Sequence, residues 1–313
     1  MKPIHLLLPL AMLAASCQTA TPPQANQPAY PTPLDGFKEM TTSLHANDRA
    51  KTESILGLQI SEIITGDPVS DRRDRETVIR LADQSMRVRH VTDTAAWIDC
   101  GRDNWTFPIP MVKNPAGNWQ FDGRWGREEI RNRIIGRNEL STMATLRGLV
   151  AAQWQYYAMD PDGDGEKAYA WRIISSDGQR DGLYWPEQKG TPLSPVGPLA
   201  AQAAEEGYAN LRSGQVPYHG YHFRVLHSQG KNAPGGKRAY FDADGNLNSG
   251  FALLAWPAEH GRSGVMTFIV SDRGIVFQKD LGKSTATKAP KIKEFDPDKS
   301  WTPAESFPVP PAG

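Results

Sequence analysis

The sequence lacks an excess of charge, an apolar run long enough to cross a bilayer, and the common nucleotide-binding and hydrolase motifs. Its 313 residues contain 35 Lys and Arg against 35 Asp and Glu, so no overall field attracts nucleic acid or an acidic partner. The apolar run at residues 4–13 is shorter than the roughly 20 residues that a lasting membrane helix needs. No P-loop, dinucleotide fingerprint or Gly-x-Ser-x-Gly elbow is present in the sequence. We therefore expect no nucleic-acid partner, and the sequence offers no convincing catalytic set.

Cysteine is scarce, and one of the two cysteines ends a targeting signal. Lys2 gives the positive start, the apolar run follows, and small residues lead to Cys17. The segment AASC at residues 14–17 resembles the bacterial lipobox, in which the cysteine is lipidated and becomes the first residue of the mature protein. Because Gln18 follows the cysteine, we expect a periplasm-facing outer-membrane lipoprotein that meets the membrane through its lipid anchor. The alternative is an ordinary signal peptide and a secreted protein.

Cys100 is the other cysteine. If Cys17 carries a lipid, no intrachain disulfide can form, even in an oxidising compartment. Cys100 lies in the apolar stretch AAWIDCG, which predicts a buried thiol and not a nucleophile.

The order of the predicted elements indicates an α+β protein with two folded domains. Residues 18–34 are polar and proline-rich, which predicts a flexible tether. Residues 35–135 contain helices followed by a meander of strands, with a hairpin signal in MVKNPAGNWQF. Residues 136–283 contain a long helix and then strands whose short Asp-Gly turns favour antiparallel pairing. Residues 284–313 are rich in Lys and Pro and poor in apolar side chains, which predicts a disordered tail, with a local contact by Phe295 or Trp301 as the exception.

A long helix is predicted over residues 128–159, with an interruption at Gly136. Its second part carries a stripe of side chains at helical spacing, which predicts a face directed at a core. The stripe consists of Met143, Leu146, Val150, Gln153 and Tyr157. We expect the glycine to mark the seam between the two domains.

A shorter helix is predicted over residues 71–84. Its first turns contain the run RRDRE, which mixes charges of both signs. Such a run is typical of a solvated helix face, and a binding patch is the alternative.

Long phrases of the sequence resemble one family of secreted bacterial proteins. These phrases include NELSTMATLRGLVAAQWQYYAMDPDGDG, DGLYWP, and GYHFRVLHSQGKNAPGG with the GFALLAWPAEHGRSGVMTFIVSDRGIVFQKDLG that follows. On them the chain is identified as a member of the domain-of-unknown-function family DUF2950 over roughly residues 35–283. The family implies no activity.

Two looser resemblances concern shape. The helices followed by a meander in residues 35–135 resemble the small domains of the nuclear-transport-factor-two-like type. Residues 136–283 resemble the soluble domain of type IV pilins and pseudopilins, which implies a long helix packed on an antiparallel sheet. Pilins begin with an apolar half-helix, whereas a whole domain precedes the helix here. The resemblance therefore implies an interaction module and not a polymerising pilin.

An acidic loop follows the long helix and is the strongest candidate metal site. Carboxylates alternate in DPDGDGE, residues 160–166, with glycine at the sixth position, as in the first half of an EF-hand-like calcium loop. The twelfth position is Trp171 instead of the bidentate Glu, so further ligands must come from elsewhere. The predicted calcium ligands are Asp160, Asp162, Asp164, Glu166, Asp177 and Asp181. The alternative is a solvated turn at the end of the helix.

The segment PYHGYHFRVLHS contains three histidines. Since residues at odd separation on a strand point to opposite faces, we expect histidines at a pocket edge and not a zinc site. His222, and Lys231 in the glycine-containing loop KNAPGG, are the candidate ligand contacts. The loop lacks the spacing and the following helix of a phosphate-binding loop.

These observations together favour a non-enzymatic, lipid-anchored binding or assembly module of the envelope. We expect its partner to be an envelope protein or a surface polymer, bound through the pilin-like half. The alternative is an envelope hydrolase that acts on polysaccharide or peptide, using His222 or carboxylates in a cleft between the domains.

Overall fold

The computed structural model of the protein describes residues 27–65, 67–161, 163, 165–205 and 217–310. Within these residues the chain is α+β, as predicted. None of the helices in this part of the chain is long and apolar enough to cross a membrane. The predicted signal peptide and its lipidation site Cys17 lie outside the described residues.

Three helices open the first half of the molecule. They are α1 (Pro33–His45), α2 (Arg49–Leu56) and α3 (Pro68–Gln84). Asp67 caps α3 because its carboxylate accepts hydrogen bonds from the Val69 and Ser70 amides, each at 3.1 Å. A short 3₁₀ turn, Ile60–Glu62, lies between α2 and α3.

An antiparallel sheet follows, as the meander pattern predicts. Its strands are β1 (Met86–Thr92), β2 (Ala95–Cys100), β3 (Trp105–Thr106), β4 (Met111–Lys113) and β5 (Trp119–Phe121). The strand order is β1-β2-β4-β5, and β3 pairs with β2. The β4–β5 hairpin is confirmed. Cys100 is fully buried and free, and burial raises the pKa of its thiol to about 12.

The described part of the predicted tether belongs to this first core. The Tyr30 amide donates to the Trp119 carbonyl at 2.8 Å, the Trp119 amide donates to the Tyr30 carbonyl at 2.7 Å, and Tyr30 is buried. The Gln27 side-chain amide donates to the carbonyls of Ile55 and Phe121. The prediction of a flexible tether is therefore wrong for residues 27–34, because one aromatic side chain and a pair of backbone hydrogen bonds fix the segment.

The central element is α4 (Gly123–Met159), a helix of 37 residues without a break. The interruption predicted at Gly136 is wrong, because a single glycine costs a helix only about 1 kcal/mol and both halves of α4 are held by packing. Ile130 packs against the first core, and Leu146 and Val150 belong to the second. A domain boundary near residue 135 stays a prediction.

The second half packs a sheet against the later turns of α4. Short segments come first: β6 (Arg172–Ile174) and β7 (Gly182–Tyr184), which pair in parallel, and then α5 (Gly197–Glu205). Next come β8 (Tyr221–Leu226), β9 (Ser228–Gln229), β10 (Arg238–Ala239), β11 (Ala252–Pro257), β12 (Met266–Ser271) and β13 (Ile275–Asp280). The main sheet is antiparallel, and four of its strands lie in the order β13-β12-β11-β8.

The chain beyond β13 is folded up to residue 310. It forms α6 (Thr285–Lys288), buries Phe295, and ends in β14 (Thr302–Ser306), which pairs antiparallel with β13 as the edge strand of the main sheet. The prediction of a disordered tail over residues 284–313 is wrong for residues 284–310. The prediction relied on the low apolar content of the segment. One buried phenylalanine and one edge-strand pairing are nevertheless enough to hold it on the main sheet.

Candidate ligand-binding cavity

A cavity of about 1080 Å³ opens in the first half of the molecule. Ligand sites in proteins commonly measure about 300–1,000 Å³, so this space is large enough for a sizeable small molecule. It is bounded by α1, α2, the 3₁₀ turn, α3, the β3–β4 connection and the first turns of α4.

Two helices turn one face each towards the cavity. On α4 the lining residues follow the spacing i, i+3, i+4 and i+7, which places them on one side of the helix; they are Ile130, Arg133, Ile134 and Arg137. On α3 the lining includes Pro68, Asp71, Arg72 and Arg75, again on one face. Only Ser70 and Ala82 are buried among the 17 residues of α3. The helix therefore covers the cavity and packs little against a solid core.

The cavity floor is apolar. Met40, Leu56, Phe107 and Ile109 line it and are almost fully buried. Pro108 and Pro110 in the β3–β4 connection have no amide to offer a sheet ladder, and Phe107, Pro108 and Ile109 line the cavity there. Burial of ligand surface against this floor is favourable by about 25 cal/mol per Å².

Polar groups converge at one side, where α3 meets α4. Arg137 forms a two-point ion pair with Asp74, with Nη1–Oδ1 at 2.5 Å and Nη2–Oδ2 at 2.9 Å. Its Nη2 also donates to the Ser70 hydroxyl at 3.2 Å, whereas its buried Nε has no hydrogen-bond partner among the described residues. This pair fixes α3 to α4 beside the cavity.

Asp71 is a partly buried carboxylate in the cavity lining. Its Oδ1 accepts from the Thr65 amide at 2.9 Å and from the Thr65 hydroxyl at 3.0 Å. Burial raises the pKa of Asp71 above its ordinary value, the Thr65 hydrogen bonds oppose that rise, and the nearby carboxylates of Asp67 and Asp74 add to it.

Arginines surround the opening. Arg133 donates from Nη1 to the Thr106 carbonyl at 2.7 Å, and its guanidinium lies 5.8 Å from the ring centroid of Trp105. Arg72 and Arg75 are exposed on α3. Arg75 donates to the Asn47 side chain, and Arg72 has no side-chain hydrogen bond or ion pair in the described part of the chain.

The structure describes only part of the predicted calcium loop. Asp160 ends α4 in a left-handed conformation, with φ of 46°, and its Oδ2 accepts from the Gly165 amide at 3.0 Å. The Glu166 carboxylate contacts the Asn246 side chain at 3.5 Å. Asp162 and Asp164 lie outside the described residues. The calcium loop stays a prediction.

The two further predicted ligands belong to a neighbouring turn. Asp181 accepts from the Ser176 amide at 2.7 Å and its hydroxyl at 2.8 Å, and pairs with Arg172 at 3.3 Å. Asp177 is exposed in the same turn. Within the described ranges, no three acidic, histidine or cysteine side chains form a group that could hold a metal ion.

His222 and Lys231 lie apart in the second half. His222 is on β8 and half-buried, its ring lies 5.4 Å from that of Trp256, and burial lowers its pKa. Lys231 is exposed, five residues beyond the far end of β8. The two candidate contacts do not form one site, and neither lines the cavity.

Sequence reasoning missed the cavity, although two signals pointed to it. Ile130, Arg133, Ile134 and Arg137 alternate apolar and cationic side chains on one helix face. The RRDRE run, interpreted as a solvated face, supplies Asp71's neighbours Arg72, Asp74 and Arg75 to the lining. Arg72 and Arg75 are exposed, as the solvated-face interpretation predicts, and they also line the cavity; a binding patch stays a prediction.

The folded part of the chain matches a protein family over nearly its whole length. No curated protein and no solved structure matches it. The family described as a protein of unknown function, DUF2950, matches residues 27–304. The match reaches into the segments that the sequence predicted as tether and tail, and it spans both cores. The chain therefore belongs to the DUF2950 family.

Proposed function

We propose that the protein is a binding module that holds an apolar small molecule in the cavity beneath α3. The observation that carries the proposal is the cavity itself, about 1080 Å³ with an apolar floor and polar groups at one side. A large cavity with few convergent polar groups is the usual form of a ligand site. The expectation of a binding module is kept, and its site moves from the second half to the first.

The cellular location of this module stays a prediction, because the signal peptide and Cys17 lie outside the described residues. Lipidation at Cys17 would place the module on the periplasmic side of the outer membrane. An envelope protein or polymer partner, the calcium loop, and the likeness of the two halves to nuclear-transport-factor-two-like and pilin domains stay predictions beside it.

Titration with a neutral apolar dye, N-phenyl-1-naphthylamine, tests the proposal. We expect a saturable rise in dye fluorescence with the wild-type chain. Ile130→Trp places a bulky ring in the cavity and should weaken dye binding at least about tenfold, a loss of about 1.4 kcal/mol. Leu140→Trp is the matched control on α4, because Leu140 is 54% exposed and does not line the cavity.

Far-UV circular dichroism and the melting temperature of both variants establish that they are folded. Absence of saturable dye binding by the wild type, or equal affinities for the two folded variants, would refute the proposal.

An enzyme is the second candidate, because Asp71 lines the cavity with a raised pKa, as general acids and bases often do. Such an activity would have to disappear in Asp71→Asn while dye binding persists.

A further inference from the structure

We infer that the ligand of the cavity is a long-chain fatty acid, with its carboxylate at Arg72 and Arg75 and its alkyl chain on the apolar floor. The inference rests on the proposed function and names its ligand class.

The first argument is charge. The chain as a whole is neutral, whereas the cavity lining contains five arginines and two aspartates. The glutamates that pair with Arg133 and Arg49 leave an excess of one positive charge at the lining. An opening of this sign beside a low-dielectric interior attracts an anion.

The second argument is that two of the five arginines have hydrogen-bond donors available for a ligand. Arg137 is paired with Asp74, Arg133 with Glu129 and Arg49 with Glu53. Arg75 contacts only the neutral side chain of Asn47, and Arg72 has no side-chain partner within the described ranges. These two guanidinium groups therefore have hydrogen-bond donors left for a carboxylate, which arginine binds at two points.

The third argument is the position of these two residues. Both are exposed, so their charges are solvated when the cavity holds no ligand. The floor residues Met40, Phe107 and Ile109 are buried. A ligand that satisfies both regions has an anionic head near solvent and an apolar tail inside. A molecule charged along its whole length would leave charge on the floor, where desolvation is costly.

Displacement of the bound dye tests the inference with the full chain. Hexadecanoate and hexadecan-1-ol share one alkyl chain and differ in charge. At pH 7.5 and low salt, we expect hexadecanoate to displace the dye at a concentration at least about tenfold lower. The preference should shrink at 0.5 M NaCl, because salt screens exposed charges.

A double variant, Arg72→Gln with Arg75→Gln, should bring the two ligands to within about twofold of each other while dye affinity is retained. Arg80→Gln is the control, since Arg80 is exposed on α3 outside the lining and should keep the full preference.

The outcomes separate the inference from the proposed function. Dye binding with equal displacement by acid and alcohol overturns the inference and leaves the proposed function standing. Stronger displacement by hexadecyl phosphate than by hexadecanoate overturns the choice of a carboxylate head. A preference that survives in the double variant removes Arg72 and Arg75 as its source. Absence of dye binding overturns the proposed function itself.

Discussion

The pKa of Asp71, a residue of the cavity lining, depends on its surroundings. Burial, opposed in part by the Thr65 hydrogen bonds, and the carboxylates of Asp67 and Asp74 raise its pKa above the ordinary 3.8. A carboxyl group with a raised pKa in the folded state keeps its proton up to a higher pH than the same group does in the unfolded chain. The wild type therefore loses stability as pH rises from the ordinary pKa through the raised one.

Asp71→Asn removes that loss. The amide oxygen can still accept from Thr65, and the repulsion by the neighbouring carboxylates disappears. We expect the stability of the variant relative to wild type to increase between pH 4 and pH 7, measured by urea unfolding at both pH values. Asp93→Asn, in an exposed turn, is the control. A relative stability that does not change with pH would contradict the shifted pKa.

Two glycines of α4 differ in their surroundings, and this difference tests whether the helix is continuous. A Cβ at Gly136 would meet no atom within 4 Å, whereas a Cβ at Gly126 would lie 2.5–2.8 Å from the Ile109 side chain. Gly136→Ala should therefore stabilise the protein by about 0.5–1 kcal/mol. Gly126→Ala should destabilise it by about 1–3 kcal/mol through overpacking.

Thermal and urea unfolding of the two variants measure these effects. The pair is matched, since both changes add one methyl group to the same helix. A destabilised Gly136→Ala would instead indicate the bend that the sequence suggested at this glycine.

The sequence predicted those elements whose signals are local. Alternating residues and turn residues placed β1, β2 and the β4–β5 hairpin, and the apolar stripe placed the second part of α4. Edge strand β14 was missed because it contains Pro303 and few apolar residues. Proline is tolerated at a sheet edge, and whether such a segment finds an edge depends on β13 and not on its own residues.

The cavity, like β14, depends on residues that are far apart in the sequence. Its lining comes from segments as far apart as Met40 and Arg137, and no local pattern reports that four helices leave a space between them. The acidic loop has a strong local signal and stays a prediction, since Asp162 and Asp164 lie outside the described residues. Asp177 and Asp181, the further predicted ligands, lie in a neighbouring turn whose Arg180 donates to the Pro161 carbonyl at 2.6 Å.

At the scale of the molecule, three consecutive residues of α4 connect the cavity to the second sheet. Arg137 holds Asp74 on α3. The buried Asn138 side chain donates to the Ser263 carbonyl at 2.9 Å. The Glu139 carboxylate accepts from the Val265 and Met266 amides at 2.9 and 3.0 Å, at the start of β12.

This connection predicts that the two halves unfold together and share the stabilisation that a ligand provides. A ligand at 100 times its dissociation constant stabilises the state that binds it by about 2.7 kcal/mol. In the wild type we expect one calorimetric transition that moves upward as a whole when the cavity is filled. Asn138→Ala with Glu139→Ala leaves the buried Ser263 carbonyl and the partly buried Val265 and Met266 amides without these partners, at up to about 1–3 kcal/mol for each group.

The double variant should therefore show two transitions, of which the ligand moves only the one that belongs to the first core. Asn132→Ala with Leu140→Ala is the matched control, since both residues are exposed on the same helix. If the wild type already shows two transitions and the ligand moves one of them, α4 joins the two cores in the chain without coupling their stability. A single transition in all three proteins would locate the coupling in other contacts, such as the hydrogen bond from Arg262 to the Ser61 carbonyl.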